Sequence, residues 1–335
     1  MTNLPHDTDA RIPTRAVPAA AAFSSDEIQQ LSDEVLIGLA ARAFVSRRLI
    51  PYPNWHFGIE EELTGDTDTS LAVRLSLWRE GLRRRLEKPV VVEWHFGISL
   101  PLWLGNDISR SLFVGTCLEP NEMAYLMSVL GRDMVVLDGG ANQGVYTLLT
   151  AGIVGPGGRV IAAEPSPREF EQLSLATRLN PHLPIQISPL ALAESKGTAS
   201  LVVADSEHSG QNTFGHFQYE GVSAVKTIDV QTVTIDELVG VNDLKRLDFI
   251  KLDIEGAEHR ALLGGKQTLQ TFKPFLLVEV SDPLLRAQGA SEHDLIGLLH
   301  NFDYSPYEFG EAGELRPYRG PSRGTNIIAL PNEAR

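Results

Sequence analysis

The sequence predicts an α/β protein whose core is a doubly wound, mostly parallel sheet, preceded by a helical and β-hairpin extension. Three observations carry this. From residue 135 onward, short apolar runs alternate with helix-periodic segments, the rhythm of repeated strand–helix–strand units. The first of those runs ends in a glycine turn, "LDGGANQG", placed where such sheets hold a ligand. Before residue 112 the alternation is absent, and amphipathic stretches and extended segments replace it.

In order along the chain, residues 1–22 are rich in Pro and Ala and lack the charged and apolar regions of a secretory signal, so they read as a flexible leader. "SSDEIQQLSDEVLIGLAARAF" has helical spacing, with Ile28, Leu31, Val35 and Leu39 on one stripe and Ser24 and Glu27 forming a capping box. A Pro-, Gly- and acid-rich loop follows over residues 50–70. The next helix, over residues 71–86, presents Leu71, Leu75, Trp78, Leu82 and Leu86 inward and most of "REGLRRRLEK" to solvent. Residues 89–115 read as extended segments with a hairpin turn at Gly105, Asn106 and Asp107. "EPNEMAYLMSVLG" is helical and leads into the first strand, "MVVLDGG".

Beyond it, "RVIAAEP", "IQISPLAL", "LDFIKLDIEG" and "PFLLVEV" read as the second to fifth strands, and "YSPYEF" and "TNIIALP" as two final ones. Helices between them are "VYTLLTAGIV", "PREFEQLSLATRLN", "EHRALLGGKQTLQTF" and "EHDLIGLLHNF", while residues 204–226 form a polar crossing stretch. The expected organisation is a leader at 1–22, an extension at 23–111 and a ligand-binding domain at 112–335.

Composition narrows the function classes. No apolar run approaches the roughly 20 residues that span a bilayer. The net charge of −14, from 43 acidic and 29 basic residues, disfavours nucleic acid and anionic membranes as partners. A single cysteine, Cys117, excludes an internal disulfide framework and fits a cytoplasmic location. What is expected instead is a small-molecule or carrier-bound substrate, with an oligomer possible through the extension.

Two ligands compete for the glycine turn. A dinucleotide asks for Gly-x-Gly-x-x-Gly, and the chain offers the degraded Gly139-x-Ala141-x-x-Gly144. Asp138, directly before the glycines, would repel a pyrophosphate but suits the ammonium of S-adenosylmethionine. Glu164, ending the second strand, can accept both hydroxyls of a ribose. Together they favour S-adenosylmethionine over a nicotinamide cofactor.

The fourth strand holds an anomaly, because period two places Lys251 on one face of a central strand with Phe249 and Asp253. A buried lysine needs acidic partners, and Asp138, Asp253 and Glu279 are the candidates. Asp253 and Glu255 fall at the strand's carboxyl end, positioned to act as general base or to orient an acceptor. His208, Asn212, His216 and Tyr219, in the polar stretch, are candidates for lining a substrate pocket, as is Glu279 at the end of the fifth strand.

"VVLDGGANQGVYTLL", "RVIAAEPSP", "LALAESKG", "TIDEL", "LDFIKLDIEGAEHRALLGG" and "PFLLVEV" resemble the successive motifs of the FkbM-type methyltransferases, over residues 116–331. "KLDIEGAE" is the most specific of them. The resemblance implies a Rossmann-like, seven-stranded class I methyltransferase sheet with an antiparallel last strand, and S-adenosylmethionine-dependent O-methylation of a small molecule, sugar or natural product. It implies that Asp138, Gly140, Asn142 and Gly144 form the loop at the methionine side. Glu164 and Pro165 then lie at the ribose, and Leu190 and Ala191 at the adenine. Gly139 departs from the aliphatic residue common there. Asp253 and Glu279 stand roughly where catechol O-methyltransferase-like enzymes hold magnesium, but that family's aspartate–asparagine pair and lysine base are missing. Metal-free catalysis is therefore expected ahead of a divalent metal. A nicotinamide-dependent oxidoreductase and a non-catalytic adenosylmethionine-binding module are the alternatives.

Overall fold

The computed structural model describes residues 25–46, 49, 69–215, 217, 222–310, 313–320 and 325–332. The predicted leader, Ser24, His216 and Tyr219, and most of the loop at 50–70, lie outside them. The first predicted helix is two, Ser25–Gln29 and Asp33–Ala43. Ser32 restarts the chain by accepting a hydrogen bond from the Val35 amide at 3.4 Å. The restart rotates the stripe: Val35 is 48% exposed, and Leu36, Leu39, Ala40 and Ala43 face the core.

Helix Thr69–Arg84 also differs from its predicted face. Val73, Arg74, Leu77 and Glu80 are buried, and the leucine and tryptophan stripe is a half-buried flank. Charge pairing makes this possible. Arg74 donates to the Val114 carbonyl at 3.3 Å, and Arg84 bonds Glu80 at 2.6 Å. Arg84 also donates to the backbone carbonyls of Leu31, Ile28 and Gln29, so this arginine of the basic run is a clamp between helices rather than a solvated charge.

Strand β1 (Val90–Glu93) pairs antiparallel with β2 (Ser99–Leu102). Their turn runs through residues 94–98, where the Trp94 amide donates to the Ile98 carbonyl at 2.8 Å. The predicted turn at Gly105, Asn106 and Asp107 is instead a helix start. Asn106 accepts from the Ser109 amide at 2.7 Å and caps the single turn Asp107–Ser109. The hairpin lies on helix Val145–Val154, with the Phe96 ring so close to Gly152 that a Cβ there would fall 2.7 Å from it.

The main sheet joins β3 (Val135–Gly139), β4 (Arg159–Ala163), β5 (Ile185–Ser188), β9 (Phe249–Leu252), β10 (Phe275–Val280), β11 (Tyr304–Phe309), β12 (Leu315–Pro317) and β13 (Thr325–Pro331). Their order is β12-β11-β13-β10-β9-β3-β4-β5. The block from β10 to β5 is parallel, and β13 is antiparallel to both β10 and β11. The sheet has eight strands rather than seven, because the short β12 adds an edge. Three residues are too few to show a period. The predicted third strand breaks after β5, and its tail is β6 (Ala191–Leu192) of a separate sheet with β7 (Gly197–Ala204) and β8 (Ala224–Val233).

Alternation along β3 gives its two faces different cores. Val136 packs with Ile28, Leu36, Leu77 and Ile98 of the extension, and Val135 and Leu137 pack with Leu252, Leu276 and Leu299. Residues before 112 thus share a core with the sheet. From β3 the chain winds outward through β4 and β5, then returns to β9 on the other side. The carboxyl ends of β3 and β9 are therefore the switch point where such sheets open a crevice. No described helix is long and apolar enough to cross a membrane.

Candidate active site

A cavity of about 430 Å³ opens at that switch point. Its floor is the loop after β3. Gly140 has φ 76°, and a Cβ there would fall 1.9 Å from the Asp253 carbonyl oxygen, so only glycine lets β3 and β9 end this close together. Asn142, also left-handed at φ 49°, donates its amide to Glu164 Oε2 at 2.9 Å and its side chain to the Ser209 carbonyl at 2.8 Å. Glu164 Oε1 accepts from the Ser166 amide at 2.8 Å. Each carboxylate oxygen thus has one backbone partner, and the residue lines the cavity. Burial, with the nearby charge of Glu169, raises the Glu164 pKa to about 8.

Of the residues predicted for the donor, Gly140, Asn142, Glu164, Pro165, Leu190 and Ala191 line the cavity. Asp138 and Gly144 do not. Asp138 is 1% exposed and points under the loop, where Thr147 donates to Oδ2 at 2.6 Å and Oδ1 is left without a hydrogen-bond partner. A strand-end acid alternates with its neighbours, and this one falls on the side of helix Val145–Val154. Gly144 is the residue from which that helix starts, with φ 94°.

On the β9 and β10 side of the loop stand Asp253, Glu255 and Glu279, all lining the cavity, with one carboxylate oxygen of each within 4.8 Å of the others. Lys251 is 5% exposed and its Nζ bonds Asp253 Oδ2 at 3.0 Å, while lying 4.7 Å from the centre of the Tyr146 ring. Burial opposes the ammonium, but Asp253, Asp138 and Glu119 outweigh it and hold the Lys251 pKa above its ordinary value. Burial pushes both Glu255 and Glu279 well above the carboxylate range, and Asp253 adds to it in each case. Glu258 braces the turn, accepting from the Ile254 and Gly256 amides at 2.9 and 3.2 Å.

In the polar stretch, Asn212 lines the cavity, but its Oδ1 is held by the Ala204 amide at 2.9 Å. His208 does not line it. Its Nδ1 lies 2.9 Å from Asp205 Oδ1, which ties the ring to its own loop. Two further acids line the cavity without having been singled out from sequence, Asp107 and Glu119. Asp107 comes from the extension and accepts from the Ser209 hydroxyl at 3.2 Å. Glu119 accepts from the Tyr146 hydroxyl and, at 3.1 Å, from Asn326 Nδ2. Its own trace in the sequence was slight: a Glu directly before the helix-starting Pro120, where a capping Ser, Thr, Asp or Asn is usual. Gln143 completes the lining, buried, with Nε2 unpartnered.

The geometry is a cleft at the switch point, with a glycine loop between a buried acid after β4 and a carboxylate cluster on the β9 and β10 side. Compared with known proteins, residues 138–306 match the methyltransferase FkbM domain. The hexuronic acid methyltransferase AglP of Haloferax volcanii is 26% identical over 162 residues, which are 48% of this chain and 62% of that protein. This chain thus spans less than two thirds of that relative. Among solved structures, a methyltransferase FkbM from Methylobacillus flagellatus is 15% identical over 89% of this chain and 58% of its own, with a TM-score of 0.39. A SAM-dependent methyltransferase from Aquifex aeolicus is 13% identical over 66% of this chain and 92% of its own, with a TM-score of 0.35. The matched domain takes in half of the chain and both walls of the cleft, and the chain belongs to the FkbM methyltransferase domain family.

Proposed function

We propose that this protein transfers a methyl group from S-adenosylmethionine to a hydroxyl oxygen of a sugar or sugar-like small molecule. The observation that carries the reading is one cavity lined by the glycine loop after β3, by Glu164 after β4 on one side of it, and by Asp253 and Glu255 after β9 on the other. The residues suit the donor. Gly140 leaves the space a side chain would fill, Glu164 offers two oxygens to the ribose, and Leu190 and Ala191 offer an apolar edge to the adenine. Gln143 Nε2 is an unused donor toward the amino-acid carboxylate. Asp138 acts from beneath the loop, by charge rather than by contact. The donor supplies a sulfonium-activated methyl group.

The chain's own part is positioning and proton removal. Glu255 is the base, because it lines the cavity with no hydrogen bond from a described residue to occupy its carboxylate, and burial makes that carboxylate, once ionised, a stronger proton acceptor than an exposed one. Asp253, tied to Lys251, orients the hydroxyl. Lys251 already supplies a fixed positive charge in the cluster, so we propose that transfer runs without a divalent metal. Thermal shift tests the donor assignment: S-adenosylhomocysteine should raise the melting temperature and NAD should not. Stabilisation by NAD alone would replace this reading with a nicotinamide oxidoreductase, and donor binding without transfer to any acceptor would leave a binding module.

A further inference from the structure

Six acids line the cavity, and four of them have partners within the protein. Asp107 is held by the Ile108 amide and the Ser209 hydroxyl. Tyr146 and Asn326 hold Glu119, the Asn142 and Ser166 amides hold Glu164, and Lys251 holds Asp253. The remaining two, Glu255 and Glu279, accept no hydrogen bond from any described residue, and Glu279 Oε2 is buried without a partner. Among the described lining residues Lys251 is the one basic side chain, and Asp253 engages it.

We propose that the acceptor carries a protonated amine beside the hydroxyl that is methylated, and that Glu279, with Asp253, is the anchor for that amine. This rests on the methyl-transfer reading of the same cavity. Carboxylate oxygens of Asp253 and Glu279 lie within 4.8 Å of each other, with one of Glu255 within 4.8 Å of both. An ammonium donating hydrogen bonds of about 2.8 Å along tetrahedral directions suits acceptors about 4.6 Å apart, a span that Asp253 and Glu279 can meet while Glu255 is left for the hydroxyl proton. Burial favours the protonated form of Glu279 in the empty site, and an ammonium beside it would draw the carboxyl into its ionised form and pair with it, which a neutral polyol cannot do. A dication would meet the Lys251 ammonium 3.0 Å from one of its own ligands, a repulsion that a monocation feels half as strongly. A uronate would add a seventh carboxylate to the six. The acceptor therefore differs in charge from the hexuronic acid that the Haloferax relative's name gives.

Isothermal titration of the full chain loaded with S-adenosylhomocysteine, in buffer with EDTA, tests this. The probes are the methyl glycosides of a 2-amino-2-deoxyhexose, of the matching neutral hexose and of the matching hexuronate. The aminohexoside should bind about tenfold or more tightly than the neutral one, and the uronate should not bind. Glu279→Gln should shrink the amine-to-neutral ratio by about tenfold. Equal affinities, tighter binding of the uronate, no binding of the aminohexoside, or an amine preference that survives Glu279→Gln would overturn the inference. So would magnesium, titrated without EDTA, binding to the three acids in place of the amine. Failure of S-adenosylhomocysteine itself to bind would instead overturn the methyl-transfer reading, which separates the two.

Discussion

Lys251 sets the charge balance of the site. It is buried in a central strand between Asp253 and the Asp138 carboxylate beneath the loop, and the Tyr146 ring lies against it. Lys251→Met would leave the buried Asp138 and the half-buried Asp253 without their cation, and should lower stability by about 3 kcal/mol in urea unfolding at pH 8. Part of the loss should return at lower pH, as Asp138, whose pKa burial already raises, becomes protonated. A variant as stable as the parent at pH 8 would show that the acids are neutral without Lys251. This residue was legible in the sequence, because period two puts a lysine inside a strand that cannot tolerate one unpaired. The orientation of Asp138 was not. A strand-end acid can face the ligand or the helix behind it, and the Thr147 hydroxyl that decides the matter lies nine residues away. Glu119 depends on contacts at still longer range, to Asn326 across the sheet.

At the scale of elements, the extension supplies part of the cavity wall. The turn Asp107–Ser109 brings Asp107 and Ile108 to the site, and the Asp107 amide donates to the Glu207 carbonyl at 3.0 Å. Asn106 holds that turn, accepting from the Ser109 amide and donating to Gln143 Oε1 at 3.4 Å. Asn106→Ala should cost about 1 kcal/mol in thermal or urea unfolding. It should also weaken acceptor binding by more than donor binding, since Asp107 in this turn is near enough to Glu255 for its charge to raise that acid's pKa. Equal losses would mean that the turn only supports the fold. The elements of the parallel sheet were readable because their apolar runs are continuous and each is followed by a helix. The pair β7 and β8 was missed because half of its residues are exposed, bunched mostly in the first half of each strand, so no apolar alternation marks it. The helix break before Asp33 turned on one serine, and the hairpin turn on two successive left-handed residues, Phe96 and Gly97, of which only the second is a glycine.

For the whole molecule, the concentration of buried acids makes stability depend on pH. Burial lifts Glu122 and Glu164 to about 8 and Glu258 to about 7. Each therefore binds its proton more tightly in the folded chain than in the unfolded one. Their contribution is complete below the ordinary carboxylate pKa and is lost as pH rises through the folded values. The melting temperature of the ligand-free protein should accordingly rise as pH is lowered from about 9 to about 6, the net charge of −14 acting in the same direction. Acids with lowered values, such as Glu80 at about 2, act only in strong acid and leave this window untouched. A melting temperature that climbs with pH over the same range would mean that these carboxylates are ionised in the fold. The order of the parallel strands, with its switch point between β3 and β9, places the chemistry, and that order follows from the alternation that the sequence displays.

The central claim is methyl transfer at the β3–β9 cleft, and its most direct measurement follows a labelled methyl group. The protein is incubated with S-adenosylmethionine carrying a deuterated methyl, together with neutral and amino sugars, and products are weighed by mass spectrometry. The account predicts a sugar heavier by one labelled methyl and an equal amount of S-adenosylhomocysteine, with Glu255→Gln slowing the reaction by about a hundredfold. A bound donor that never loses its methyl group to any of these acceptors would contradict it.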